Sequence, residues 1–455
     1  MNKKAFTLIE LLAIIIILAV IAVITVPIIL GIIDEAKINS VTDSTHGYKD
    51  GIYNYNAYQQ SKELTQLKGS YTTQELKAAG FEVTGKEPNS GIILIDDKGI
   101  TGCLQYDEYA SYLYNNKVTK TFKGNCPKEK IVTEGSGLYK SDIEERLIYR
   151  GQNTEVKNYI TLKENNTNVT YRIVSYELDG TIKVVRNDRI NRQDGTTGGI
   201  AWDEANARNK TNNTYCSSPT NGCNVWGNSS NTLYKNQPIG DNFKYSYYET
   251  ATSPTLSDGV PGTVISDSTL NQYLNGTWLT STGLSEYIED HNFNVGGIYY
   301  YKEYESGDKT LEREKEEENL FTWKGKIGLL NATEFVESSI NSECSSVYSS
   351  YKYNYDKYYY QGEGESGKTE HPPTNNTYPC KIDNWIHKTT YPTWTLSSYS
   401  TFPTSAWYIH SNGYFAATSA NVVSSYSVRP TFYLKSNTIL TGEGTSQQPY
   451  QIIGM

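Results

Sequence analysis

Lys3-Lys4-Ala5-Phe6-Thr7-Leu8-Ile9-Glu10 leads straight into an apolar run that ends at Ile33, and across the 28 residues 6–33 only Glu10 is charged. Built as a helix at 1.5 Å per residue, this stretch is about 42 Å long, against a bilayer hydrocarbon core of about 30 Å. It is long enough to cross a membrane. Lys3 and Lys4 precede the run while Asp34 and Glu35 follow it. The preference for Lys and Arg on the cytoplasmic side therefore predicts the N-terminus inside and residues 34–455 outside.

Two simpler readings of the segment fit less well. A secretory signal peptide has an apolar core of about 7 to 15 residues followed by an Ala-x-Ala-like site. Here the run is far longer, and Ala13, Ala19, Ala22 and Ala36 never take that spacing. A plain membrane anchor fits the length but leaves Glu10 unexplained, because a carboxylate in a spanning helix costs up to about 3 kcal/mol even on lenient insertion scales.

Ala5, Phe6, Thr7, Leu8, Ile9, Glu10 and Pro27 together resemble the N-terminal segment of the type IV pilin and pseudopilin family, a resemblance that covers about the first sixty residues. It implies that a prepilin peptidase cuts between Ala5 and Phe6 and methylates the new amine of Phe6. It also implies that Glu10 attracts the Phe6 amine of a neighbouring subunit, setting axial register in a low-dielectric assembly. Pro27 cannot donate to the helical ladder and is expected to kink it. One departure is Ala5, where the family usually has Gly. The implied partners are the peptidase, other pilin subunits through the N-terminal helix, and the cytoplasmic membrane before assembly at the cell surface.

The expected fold class is α+β: residues 1–5 as leader, 6–60 as a transmembrane and spine helix, 61–134 as a small antiparallel-sheet head, 135–144 as linker, and 145–455 as a larger β-rich, irregular module. Val41, Tyr48, Ile52 and Tyr55 fall near helical spacing along the stem, weakened by Gly47 and Gly51. Thr72 to Glu75 has the form of a capping box, and two strands joined at Asp97-Lys98-Gly99 follow. In the module, Tyr171-Arg-Ile-Val and the stretch after Asp179-Gly180 read as a hairpin. Trp394-Thr-Leu, Trp407 ahead of Asn412-Gly413, and Val428-Arg429-Pro430 resemble a surface domain of Gram-positive bacteria akin to C-type-lectin-like folds.

With 455 residues, a net charge of -9 and no basic block, the chain does not resemble one whose primary partner is nucleic acid. Its 40 tyrosines follow the usage of an AT-rich genome. The six cysteines, in an oxidising compartment, suggest Cys103 with Cys126, Cys216 with Cys223, and Cys344 with Cys380, pairing nearest neighbours out of 15 possible connectivities. A zinc site lacks CxxC spacing and paired histidines. No catalytic constellation or cofactor motif stands out, so no enzyme activity is expected, although the lectin-like fold also includes formylglycine-generating enzymes. Glu87-Pro88-Asn89 matches the sugar-binding tripeptide of calcium-dependent lectins, but lies in the head. The acidic run 312–318 reads as a solvated helix or loop, with calcium binding as its rival. Tyr358, Tyr359 and Tyr360, with Trp407, are the candidate contacts for a surface glycan or protein ligand. The leading expectation is a minor or tip pilus subunit displaying a large domain for adhesion. The alternatives are a pseudopilin of a secretion or DNA-uptake machine and a membrane-anchored surface enzyme.

Overall fold

The apolar run and the stem behind it form one helix, α1 (Leu8–Ser61), 54 residues long, with Pro27 inside it. In this computed structural model the described residues are 8–192, 194–204, 222–227, 267–298, 311–319, 322–342, 344, 379–399, 405–413, 415–420 and 426–455. The chain is α+β, a long N-terminal apolar helix with antiparallel sheets, and divides into two compact units, Met1–Cys126 and Pro127–Met455.

In the first unit a five-stranded antiparallel meander runs in sequence order: β1 (Gly69–Thr72), β2 (Ser90–Asp96), β3 (Gly99–Tyr106), β4 (Tyr109–Tyr114) and β5 (Lys117–Lys123). Side chains alternate across a strand, so Ile93 and Ile95 point to the same face. There they join Ile100, Leu104, Leu113 and Leu76 against Val41, Tyr48 and Ile52 of α1. Each such large side chain contributes about 1.5 to 3 kcal/mol on burial. The short helix α2 (Thr73–Ala78) starts with the expected capping box: the Glu75 carboxylate accepts the Thr72 backbone N–H at 2.7 Å. Cys103 on β3 bonds to Cys126, tying the chain beyond β5 to the middle of the sheet.

Gly47 and Gly51 do more than weaken the stem. A Cβ at Gly47 would stand 1.9 Å from the Thr84 carbonyl oxygen, and one at Gly51 would stand 2.4 Å from that of Glu82. The two glycines, one turn apart on α1, let the 81–84 backbone lie against the helix.

In the second unit, Leu138 and Tyr139 are buried and residues Gly137–Lys140 form strand β6, paired with β7 (Arg146–Arg150). The expected linker 135–144 thus contains an ordered strand. Its glycines serve the turn, with Gly135 at φ 84° and Gly137 at φ 137°. The strands β8 (Tyr159–Glu164), β9 (Thr167–Glu177) and β10 (Ile182–Arg186) follow as an antiparallel series. The β9–β10 turn is the Asp-Gly hairpin, where Asp179 Oδ1 accepts the Thr181 N–H at 2.8 Å and Gly180 takes φ 91°. Thr431–Leu434 pairs with β10, and Tyr450–Ile452 runs parallel beside β8, so the last strand returns to one near the start of the unit. A second sheet holds Thr393–Tyr399, Ser405–Ile409 and Phe415–Ser419 in antiparallel order.

The acidic run departs from its solvated reading. It forms the helix Leu311–Asn319, in which Glu314, Lys315 and Glu318 are buried. Glu318 accepts hydrogen bonds from the Ser397 hydroxyl at 2.5 Å and from Thr333. Beside it the helix Ala332–Glu337 is buried at every position, Glu334 and Glu337 included. Arg146 bridges Glu334 at 3.0 Å, Glu337 at 2.6 Å and Glu144 at 2.9 Å, while Lys183 reaches Glu334 at 2.5 Å. The charges are inside because they neutralise one another and take further hydrogen bonds, the condition under which buried ions are tolerated.

Candidate functional site

The strongest candidate surface is the N-terminal half of α1. Its apolar side chains are exposed throughout, from Leu8 at 84% and Ile9 at 74% to Val23 at 73% and Ile32 at 61%. No residue of its most apolar 18-residue window is buried. Such a helix does not stand in water, because each exposed Leu, Ile or Val forgoes about 1.5 to 3 kcal/mol of burial. Among the described side chains of residues 8–33 only Thr25 is polar, and its hydroxyl donates to the Ile21 carbonyl at 2.7 Å. That bond leaves no donor needing water, as a lipid or helix environment requires. At the end of the run Asp34 accepts the Tyr109 hydroxyl at 2.5 Å, so the first charged side chain after Ile33 is fixed to the sheet of its own unit.

Glu10 is the third residue of α1, and Pro27 lies within the helix. Ala5 and Phe6 lie outside the described residues, as do Cys216, Tyr358, Tyr359 and Tyr360. Trp407 is not a surface contact. It is 1% exposed, and its indole N–H donates to the Ile298 carbonyl at 3.3 Å. Its place on the central strand of a covered sheet turns the ring inward. Cys344 is bonded to Cys380, and Cys223 is disulfide-bonded. Glu87 and Asn89 are engaged within the first unit, Glu87 with Lys77 at 2.5 Å and Asn89 with the Asp107 N–H at 2.7 Å. Among the described residues no group of three or more His, Cys, Asp or Glu is placed to hold a metal ion.

A second arrangement was not singled out from the sequence. Arg172 on β9 and Arg429, just before the strand Thr431–Leu434, are both fully buried cations. Arg172 donates to Asn158 Oδ1 and Asn153 Oδ1, each at 2.5 Å, and its guanidinium lies over Tyr159 (3.6 Å) and Trp385 (5.0 Å). Arg429 donates to the Arg186 carbonyl at 3.0 Å and the Ile386 carbonyl at 2.8 Å. Lys388 stands nearby, 3.1 Å from Asn187 Oδ1 and 3.9 Å from Asp188. Burial, and then the Arg429 charge, pulls the Lys388 pKa down to about 7. Burial likewise lowers Arg172 to about 9 and Arg429 to about 10.

Comparison with protein-family models, curated proteins and solved structures finds no match to this chain.

Proposed function

We propose that this protein is a minor or tip subunit of a type IV pilus-like filament that displays its second unit outside the cell for adhesion or surface contact. The observation that carries the reading is α1 itself: one unbroken helix whose first half is apolar and exposed while its second half forms the core of a small sheet domain. A precursor of this shape is stored in the cytoplasmic membrane, N-terminus inside. After cleavage between Ala5 and Phe6 it exchanges lipid for the helices of other subunits, with Glu10 facing the methylated amine of a neighbour's Phe6. The second unit we read as lectin-like. Its quoted motifs support this by lying together: Thr393–Tyr399 pairs with Ser405–Ile409, and the Ser427 N–H beside Val428-Arg429-Pro430 donates to the Pro392 carbonyl at 2.8 Å.

The test is Glu10→Ala in the producing cell. Membrane insertion should be unchanged or improved, because a costly carboxylate is removed from the apolar run. Recovery in sheared surface filaments should fall at least about tenfold, the effect of losing one good charge pairing at low dielectric. Equal recovery of mutant and wild type would contradict the proposal.

A further inference from the structure

Arg172 and Arg429 present a charge problem that their neighbours leave open. Both are buried, Arg172 at 0% and Arg429 at 2% exposure, and in each the Nη2 nitrogen is enclosed without a hydrogen-bond partner. Their remaining bonds go to neutral oxygens, from Asn153 and Asn158 for Arg172 and from two backbone carbonyls for Arg429. The rings of Tyr159 and Trp385 offset part of the Arg172 charge, but a ring face offers no acceptor in the plane of the guanidinium. Lys388 adds a third basic group: it follows Trp385 and Ile386, which touch Arg172 and Arg429, and its ammonium lies 3.1 Å from Asn187 Oδ1, next to the Arg186 carbonyl that Arg429 also uses. Asp188 stands 3.9 Å from Lys388 with its side chain 69% exposed. Elsewhere in the same unit the buried Arg146 has three carboxylates, so the fold can supply counterions where charge is to be neutralised internally.

We propose that Arg172, Arg429 and Lys388 form a binding site for a small oxyanion: a sulfate, phosphate or carboxylate, either free or carried by an acidic sugar. Two guanidinium groups with vacant N–H donors are the usual partners of such groups, since planar donors match two oxygens of one anion. Lys388 marks the mouth, because its side chain is 17% exposed and borders the exposed Asp188. The segment from Trp385 to Lys388 joins the three, with Trp385 over Arg172 and the Ile386 carbonyl on Arg429. The anion would complete the hydrogen bonding of both Nη2 atoms and lift the mutual repulsion of three cations. The site is independent of the filament reading, since it lies wholly within the second unit.

Equilibrium dialysis of the full chain in detergent, with radiolabelled sulfate and then phosphate at an ionic strength held by chloride, tests this directly. Saturable binding of one ion per chain is expected. Lys388→Gln should weaken it about tenfold, the loss of one hydrogen bond to a charged group, with an unchanged circular dichroism spectrum and melting temperature. Arg429→Lys, which keeps the charge and loses the fork, should weaken it further. Displacement of the label by a sulfated or uronic acid oligosaccharide below the concentration needed with free sulfate would assign the anion to a glycan; displacement only at equal concentration would assign it to the free ion. Absence of saturable binding, or binding that a folded Lys388→Gln protein retains at wild-type strength, would overturn the proposal.

Discussion

The first unit exposes apolar side chains along residues 8–33, whereas the second buries charged ones at Arg146, Lys183, Lys315, Glu318, Glu334 and Glu337. Each reverses the usual distribution, and the difference lies in where the missing partner is found. Among the described residues nothing buries the apolar half of the helix, the condition that lipid or other helices would meet. The ionic cluster carries its partners with it, so it can hold the second unit together with no outside contribution. One unit thus leaves an apolar surface to be covered from outside, while the other neutralises its buried charges by itself.

The largest effect should come from breaking the cluster. Glu334→Gln removes the carboxylate shared by Arg146 and Lys183 and should destabilise the second unit by about 3 to 5 kcal/mol, as uncompensated buried charge does. Denaturant unfolding followed by tryptophan fluorescence would measure it; a loss under about 1 kcal/mol would mean the cluster is replaceable by solvent. Burial pushes the Glu334 pKa up, but Lys183, Lys315 and Arg146 outweigh it and hold the carboxyl below its usual range. With a depressed folded pKa, the stability it carries is present above the ordinary glutamate value of about 4.3 and is lost as pH falls through the folded one. Acidification below about pH 4 should therefore weaken the second unit, and Glu334→Gln should flatten that decline.

Next in size is the bridge between Cys103 and Cys126, which closes a separation of 23 residues. Replacing both with Ser should cost the first unit about 3 kcal/mol in the chain-entropy model and leave the second unit unchanged. Hydrogen exchange resolved by peptide would separate the two.

Gly47→Ala gives a smaller but sign-reversing test. On an open helix the change would gain up to about 1 kcal/mol. Here the new methyl meets the Thr84 carbonyl, so a loss of about 1 to 3 kcal/mol is expected. A stabilised variant would show that the 81–84 segment does not pack on α1 in solution.

The smallest effect concerns Glu318, whose pKa burial raises despite Lys315 and the hydroxyls of Ser397 and Thr333. Its contribution is full at low pH and fades as pH rises through its folded value, opposite to Glu334. Glu318→Gln should therefore flatten the decline of stability as pH rises above the ordinary glutamate range, as thermal melts across pH would read.

Elements set by local pattern were legible from the sequence. The 54-residue helix followed from the apolar run to Ile33 and the helical spacing of Val41, Tyr48, Ile52 and Tyr55 behind it, the α2 start from Thr72 and Glu75, and the hairpins from Asp97-Lys98-Gly99 and Asp179-Gly180. What tertiary context decides was not. Gly47 and Gly51 looked like helix weaknesses because the segment that packs on them is distant in sequence. Residues 312–318 looked solvated because their countercharges come from elsewhere in the unit: Glu144 contacts Lys315, while Ser397 and Thr333 satisfy Glu318. Residues 135–144 looked like a linker because glycine and serine outweighed the pair Leu138 and Tyr139. Arg172 and Arg429 do carry a signal in the sequence: each is a lone cation beside apolar residues, in Tyr171-Arg-Ile-Val and Val428-Arg-Pro, where a charge needs a reason.

The central claim, that α1 is a filament-assembly helix released by a prepilin peptidase, is tested most directly by mass spectrometry of the N-terminal peptide from the native surface-exposed protein. A chain beginning at Phe6 with an N-methylated amine is expected. A mature surface form that begins at Met1 or Asn2 would contradict it.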